Sequence, residues 1–269
     1  MNVTLTDEQW RTYEQQGYLK LGKVLSDLEL VALAQRINHI MLGKADCDYD
    51  RFMMQREAGE GHEQSGQTVG FKGSTLNYRK IENLEFDSLF LLYLQKPLFR
   101  EICEKVYGRD TRISCFRAMF MNKPARHGSV LPYHQDRWTD LDRDPLVTVW
   151  TALDPATIEN GCVKIFPKTH RQLINPENPS GFLTPDQTNQ LLGTMEPVNL
   201  ELEEGEAVLL NNWTVHGSEG NKSDFSRRAF SVCYMDANTV SSAGKSFSVV
   251  FGSGALQADF YINKEVKAN

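Results

Sequence analysis

From Arg112 onward the chain breaks into short β-branched and aromatic runs, each closed by Pro, Gly, Asn or Asp. The runs are Arg112 to Met121, Leu146 to Leu153, Cys162 to Phe166, Ala207 to Leu210 and Arg228 to Met235. Strands this short bury little alone and become stable only when sheets pack on sheets or helices. Upstream the pattern is helical. Thr6-Asp7-Glu8-Gln9 and Ser26-Asp27-Leu28-Glu29 are capping boxes. The first opens a helix carrying Trp10 and Tyr13, with Gly17 as its stop; Tyr18 to Leu25 then reads as a short strand. The second opens a helix with an apolar stripe of Leu30, Val31, Leu33, Ala34, Ile37 and Met41. Leu84 to Leu94 and Pro97 to Tyr107 are two further predicted helices, with Pro97 in a first turn and Gly108 just past an end. Helices followed by many short strands predict a mainly β chain with flanking helices, an antiparallel sandwich or jelly roll. Residues 44–75 lack periodicity and are expected to be a loop or lid, and the interval 171–200 is Pro/Asn-rich and poorly patterned. No linker splits the 269 residues, so one domain over 1–269 is expected.

The formal charge of −6 provides no overall basic field for nucleic acid or an anionic membrane. No apolar run approaches membrane-spanning length. Cys47, Cys103, Cys115, Cys162 and Cys233 are scattered without a CxxC pair, which points to reduced thiols rather than a disulfide framework or structural zinc. The polar start MNVTLTDEQW runs into a helix signal and resembles no leader. The expectation is a cytoplasmic protein whose partner is a small molecule.

The chemistry concentrates at His134-Gln135-Asp136, with His216 and Arg227 downstream. On an extended strand residues two apart share a face, so His134 and Asp136 can reach one metal ion. A carboxylate and two imidazoles leave half an octahedron open, the facial triad of non-haem Fe(II) oxygenases. The spacing alone is weak, because six histidines and 35 acidic residues in 269 positions yield about 0.8 His-x-acid pairs by chance. Context strengthens it. His216 follows the strand signal Ala207 to Leu210, and Gly217 and Ser218 let backbone and ligand approach closely. A 2-oxoacid in the open positions would need a guanidinium for its distal carboxylate. Fe(II), one aspartate and a dianion sum to −1, which one arginine cancels. Arg227 and Arg228 are adjacent and point oppositely on a strand, so only one of them can serve.

The motifs Tyr133-His134-Gln135-Asp136, Trp150-Thr151-Ala152-Leu153, Glu159-Asn160-Gly161-Cys162, Phe166-Pro167-Lys168-Thr169-His170 and His216-Gly217-Ser218 with Arg227-Arg228-Ala229 occur in this order. Together they resemble the phytanoyl-CoA dioxygenase family, from about Thr6 to Met235. The resemblance implies a double-stranded β-helix (jelly roll) and oxygenation that uses Fe(II), 2-oxoglutarate and O2. It makes His134, Asp136 and His216 the iron ligands and Arg227 the 2-oxoglutarate clamp, with Ser218 adding a hydroxyl. Trp150 and Met119 would wall the cosubstrate, with Gln135 near it, and Lys80 matches a position where members place a lysine at the pocket. The family's usual Pro-Gly-Ser-His turn is Pro167-Lys168-Thr169-His170 here. Arg137, Lys164, Arg117 and Lys123 would form a basic pocket if they face the iron. His39, His62, His127 and His170 are expected not to be ligands.

The resemblance further implies a hydroxylase that releases succinate and CO2; related halogenases lack the Asp136 carboxylate, leaving room for chloride. Family substrates include acyl thioesters, amino-acid-like osmolytes, natural products and aminoalkylphosphonates, and the basic residues favour a small anionic or zwitterionic one. Two other readings compete. A non-catalytic jelly-roll sensor would bind metal or metabolite without substrate-stimulated succinate formation. A jelly-roll metalloenzyme working without 2-oxoglutarate would leave Arg227 unexplained.

Overall fold

The computed structural model describes residues 4–58 and 66–258. Both capping boxes form. Thr6 caps α1 (Asp7–Gln16) and Ser26 caps α2 (Asp27–Met41), each with the reciprocal bond from the third residue of the helix. Gly17 ends α1 at φ 81°, a left-handed conformation suited to glycine. A Cβ there would meet His170 and Thr214 at 2.5 Å, because the Gly17 carbonyl accepts from the Thr214 hydroxyl. Between the helices lies β1 (Tyr18–Lys23).

The expected 44–75 loop is partly sheet: a 3-10 turn at Tyr49–Arg51, then β2 (Met53–Arg56) and β3 (Thr68–Val69), both paired to form a rim. Residues 59–65, which include His62, lie outside the described residues. Next comes β4 (Tyr78–Glu82). The helix expected over 84–94 is broken. Leu84–Phe86 is a 3-10 turn, and the Asp87 carboxylate caps α3 (Ser88–Leu94) through the N–H groups of Leu89 and Phe90. The last N-terminal helix is α4 (Pro97–Tyr107).

The strand region then runs β5 (Ile113–Lys123), β6 (Leu131–His134), β7 (Val147–Ala152) and β8 (Val163–Ile165). The unpatterned 171–200 interval holds α5 (Pro185–Thr194), capped by a Thr184/Gln187 box, and β9 (Val198–Leu200). The chain continues through β10 (Glu206–Asn211), β11 (His216–Ser218), β12 (Arg227–Asp236) and β13 (Ser248–Phe251).

Two antiparallel sheets result. The larger has the order β1-β10-β7-β12-β5-β4-β2-β3 with β13 also on β5; the smaller is β6-β11-β8-β9. This is the jelly roll with helices outside. Strand alternation divides the larger sheet's side chains. Phe120, Val149, Leu209, Phe230 and Val232 pack against Trp10, Leu33, Ile37, Phe90 and Phe99 of the helices in the main apolar core. The opposite face sends Trp150, Ala152, Val208 and Ala229 toward Val163, Ile165 and Leu200 of the smaller sheet. Within the expected stripe of α2, Val31 stays half exposed while Ile40 is buried instead. The site lies between the two sheets, where the second face is left incompletely filled. No helix among the described residues is long and apolar enough to cross a membrane.

Candidate active site

His134 ends β6 and pairs directly with His216 at the start of β11. Directly opposed residues put their side chains on one face, and the two rings lie 4.2 Å apart, centroid to centroid. Asp136 sits just beyond β6, where its N–H donates to the Asn212 carbonyl at 2.7 Å. Asp136 Oδ1 is 3.7 Å from His134 Nε2, and Oδ2 is 3.8 Å from His216 Nε2. These separations are too long for hydrogen bonds and suit three donors around a common ion. All three offered atoms lie within 4.8 Å of one another.

The tautomers fit such an ion. Each Nδ1 lies 2.9 Å from the carbonyl two residues earlier, Pro132 for His134 and Thr214 for His216. A carbonyl only accepts, so Nδ1 carries the proton and Nε2 turns a lone pair toward Asp136. Burial, and then the neighbouring His216, push the His134 pKa down to about 4, which keeps the ring neutral at neutral pH. Burial works to raise the Asp136 carboxyl, but His216, Arg117, His134 and Lys80 outweigh it and hold it below its ordinary range.

The three residues open on a cavity of about 480 Å³. Arg227, only 2% exposed, begins β12 and enters this cavity. Its guanidinium lies 5.2 Å from the Trp150 ring centroid. The buried Arg227 Nε and Trp150 Nε1 have no hydrogen-bond partner among the described residues. Desolvation lowers the Arg227 pKa from the usual arginine value to about 10. Its neighbour takes the other face: Arg228 grips Asp154 with Nη2 at 2.6 Å and Nε at 2.9 Å. The adjacent arginines therefore separate into one ion-paired residue and one with no ion-pair partner among the described residues.

Met119, Trp150, Ser218 and Lys80 all line the cavity with the candidate ligands. Gln135 does not, which corrects the expectation that it sits near a cosubstrate. Alternation turns it away from the face of His134 and Asp136. Its amide Nε2 donates to the carbonyls of Thr169, Gln172 and Trp213, and its Oε1 accepts from the Ile174 N–H. It ties together the backbone behind the site. Of the four basic residues expected near the iron, Arg117, Lys123 and Arg137 reach the cavity. Lys164 lies outside the cavity lining and pairs with Glu219 at 3.1 Å.

Sequence reasoning misses Arg79, Glu57, Thr148 and Ser231 in the lining. Thr148 is recoverable from alternation with Trp150, and Ser231 from alternation with Arg227; Arg79 and Glu57 carry no comparable signal. In the variant turn, Lys168 adopts φ 68°, ψ 4°, the left-handed region that the family's usual glycine enters freely. Thr169 Oγ1 then donates to Phe166 and accepts from the Val215 N–H, bracing the segment before His216. His170 Nε2 is 3.1 Å from the Glu14 carbonyl, far from this work. Among the described residues no second group of His, Cys, Asp or Glu converges this way.

A jelly roll that gathers two neutral imidazoles and a carboxylate beside a buried arginine defines the class of mononuclear non-haem metalloenzymes with an open coordination face. Residues 13–229 match the phytanoyl-CoA dioxygenase (PhyH) family, and the chain belongs to it. That family comprises 2-oxoglutarate-dependent non-haem iron dioxygenases. A probable phytanoyl-CoA dioxygenase of Caenorhabditis elegans is 27% identical over 241 residues, covering 86% of this chain and 75% of that protein. The phytanoyl-CoA dioxygenase domain-containing protein 1 homolog of Dictyostelium discoideum is 32% identical over 263 residues, covering 88% of this chain and 93% of that protein. The fold is shared with EctD from S. alaskensis, solved with 2-oxoglutarate and 5-hydroxyectoine: TM-score 0.69 at 16% identity, over 96% of this chain and 84% of that one.

Proposed function

We propose that this protein, as one catalytic jelly-roll domain, hydroxylates a C–H bond of a small anionic or zwitterionic metabolite, using Fe(II), 2-oxoglutarate and O2. The observation that carries the reading is the convergence of His134, Asp136 and His216 in the same cavity as the uncompensated Arg227 guanidinium. His134 Nε2, His216 Nε2 and an Asp136 oxygen would hold Fe(II). When bound, the iron and 2-oxoglutarate supply the oxidising power: one atom of O2 enters succinate as CO2 leaves, and the other enters the substrate C–H bond.

The chain's own residues bind, orient and shield. Arg227 receives the distal carboxylate of the cosubstrate as a charge-assisted pair, and the Trp150 face beneath it keeps the guanidinium plane fixed and dry. Ser218 offers a hydroxyl at the same wall, Met119 fills the apolar side, and Lys80 adds positive charge. The backbone carbonyls of Pro132 and Thr214 hold both imidazoles in the ligating tautomer. Arg79, Arg117, Lys123 and Arg137 against Glu57 and Asp140 support an anionic or zwitterionic substrate, amino-acid-like or aminoalkylphosphonate in type. Five unpaired cysteines support a reducing, cytoplasmic setting.

The test is anaerobic addition of Fe(II) and 2-oxoglutarate, which should raise a weak visible charge-transfer band that Arg227→Ala diminishes. A metabolite panel should then reveal substrate-stimulated succinate release. Failure to bind both iron and cosubstrate overturns the reading. Intact binding without stimulated succinate in any arm favours a sensor.

A further inference from the structure

On the iron and 2-oxoglutarate reading, which the proposal below rests on, the cavity holds more positive charge than the reaction consumes. Fe(II), Asp136, a 2-oxoglutarate dianion and Arg227 sum to zero. Five cationic side chains remain: Arg79, Lys80, Arg117, Lys123 and Arg137. Lys123 donates to the Ser129 carbonyl and Arg137 to that of Pro176. Of the remaining acids, Asp140 is engaged by Lys245 at 3.0 Å, and Glu57 accepts from Ser129. The side chains of Arg79, Lys80 and Arg117 make no hydrogen bond to any described residue. Glu57, which acts on Lys123, cancels at most one of these charges, and Lys80 and Arg117, the two that act on Asp136, carry +2 of the excess.

Arg117 faces the cavity because of a local irregularity. Across the β5–β12 ladder Cys233 pairs with Arg117 and Tyr234 with Cys115, so Phe116 is an extra residue, a β-bulge. Ile113 and Cys115 before it face the helix-packed core, as do Ala118 and Phe120 after it. Without the bulge, position 117 would continue the face of 113 and 115 and bury its guanidinium among apolar side chains. With it, Arg117 joins Met119, Met121 and Lys123 on the cavity side. Its guanidinium carbon lies 5.4 Å from the Trp138 ring centroid, and an Nη is 3.8 Å from Asp136 Oδ1. Lys123, opposite Arg227 in the ladder, is six positions further along β5, about 20 Å at the rise of an extended strand. A cosubstrate reaching toward Arg227 therefore leaves Arg117 to a second molecule beside the metal position.

We propose that Arg117, turned inward by the bulge and flanked by Lys80, is the specificity-determining receptor for the substrate's acidic head, and that this head is a dianionic oxyanion. The carbon to be oxidised then lies close to that head, because Arg117 adjoins Asp136.

The test uses butylphosphonate and butanesulfonate, tetrahedral heads of one shape, at a pH where the first is a dianion and the second a monoanion. Each is titrated calorimetrically into the anaerobic Fe(II)/2-oxoglutarate protein and into metal-free protein. The wild type should prefer phosphonate by about tenfold or more. Arg117→Gln should abolish most of the preference, Arg117→Lys should restore part of it, and the charge-transfer band should persist in both. Equal affinities in the wild type, or a preference that survives Arg117→Gln, overturn the proposal. So does loss of the band in Arg117→Gln with the preference intact, which would make Arg117 a brace for Asp136. If Arg117→Gln does not fold, Lys80→Met should lower the preference, and no change there overturns the charge count. A wild type without the band defeats the iron reading instead, and the metal-free titration still decides on Arg117.

Discussion

Arg227→Met should strengthen the protein and disable its proposed cosubstrate site at once. The guanidinium is buried and has no ion-pair partner among the described residues, and desolvation lowers its pKa from the usual arginine value to about 10. That shift corresponds to about 3 kcal/mol against the charged form, reduced to the extent that water reaches the guanidinium through the cavity. Methionine is apolar, of similar reach, and packs well on an aromatic face, so it can lie over Trp150. Replacing an uncompensated buried charge with a fitting apolar group should stabilise the metal-free, cosubstrate-free protein by about 1–3 kcal/mol. At roughly 2–4 °C per kcal/mol for a chain near this size, the rise in Tm is readily measured. Ligand response should move the other way. In the wild type with Fe(II), 2-oxoglutarate at a hundredfold excess over Kd adds about 2.7 kcal/mol. Removing one partner of a buried charge pair costs about 2–5 kcal/mol, so in the variant this increment should nearly vanish. Urea and thermal unfolding, with and without cosubstrate, read both effects. A cofactor-free variant less stable than the wild type would show that the guanidinium is already compensated, and a retained ligand increment would show that Arg227 is not the clamp.

Two further predictions concern residues around the site. Burial, together with Arg227 and Arg79, depresses the Lys123 pKa from 10.5 to about 7, so between those pH values the unfolded chain binds more protons than the folded one and stability rises with pH, by at most about 1.4 kcal/mol per pH unit. Lys123→Met should remove this contribution: its stability advantage over the wild type is largest below pH 7 and shrinks toward pH 10, and urea midpoints whose difference stays flat over that range would contradict it. Gly181 has φ +69° and an added Cβ would lie 1.8 Å from the Gln135 carbonyl oxygen, so Gly181→Ala must displace Phe182 from its 4.9 Å stack on His134; the fold should lose about 1–3 kcal/mol and Fe(II) affinity, by chelator competition, should fall, whereas unchanged affinity would exclude Phe182 as a support for His134.

Much of the fold is legible in the sequence because its causes are local. The boxes at Thr6 and Ser26 satisfy the first N–H groups of their own helices, so α1 and α2 follow from residues three apart. The box at Thr184 carries the same signal but is masked by the surrounding prolines and asparagines, although it opens α5. The break before α3 has a legible cause too, since Asp87 is a cap inside an apolar run. Within the site, His134, Asp136 and Arg227 stand out by residue type and spacing. Gln135 misleads, because its place between two candidate ligands suggests contact, while alternation turns its amide to Thr169, Gln172, Ile174 and Trp213.

Residue order by itself determined the helices, the strand-rich half and the chemistry on offer: imidazoles, a carboxylate and paired arginines, each set by what stands next to it in the chain. Only the folded barrel decided their use. Placing His216 opposite His134, sending Arg227 inward while Arg228 meets Asp154, and swinging Arg117 around at Phe116 all depend on pairing register between distant strands. A shift of one residue reverses every side chain's direction, and that register is fixed by the packing of both sheet faces at once, which no local pattern encodes.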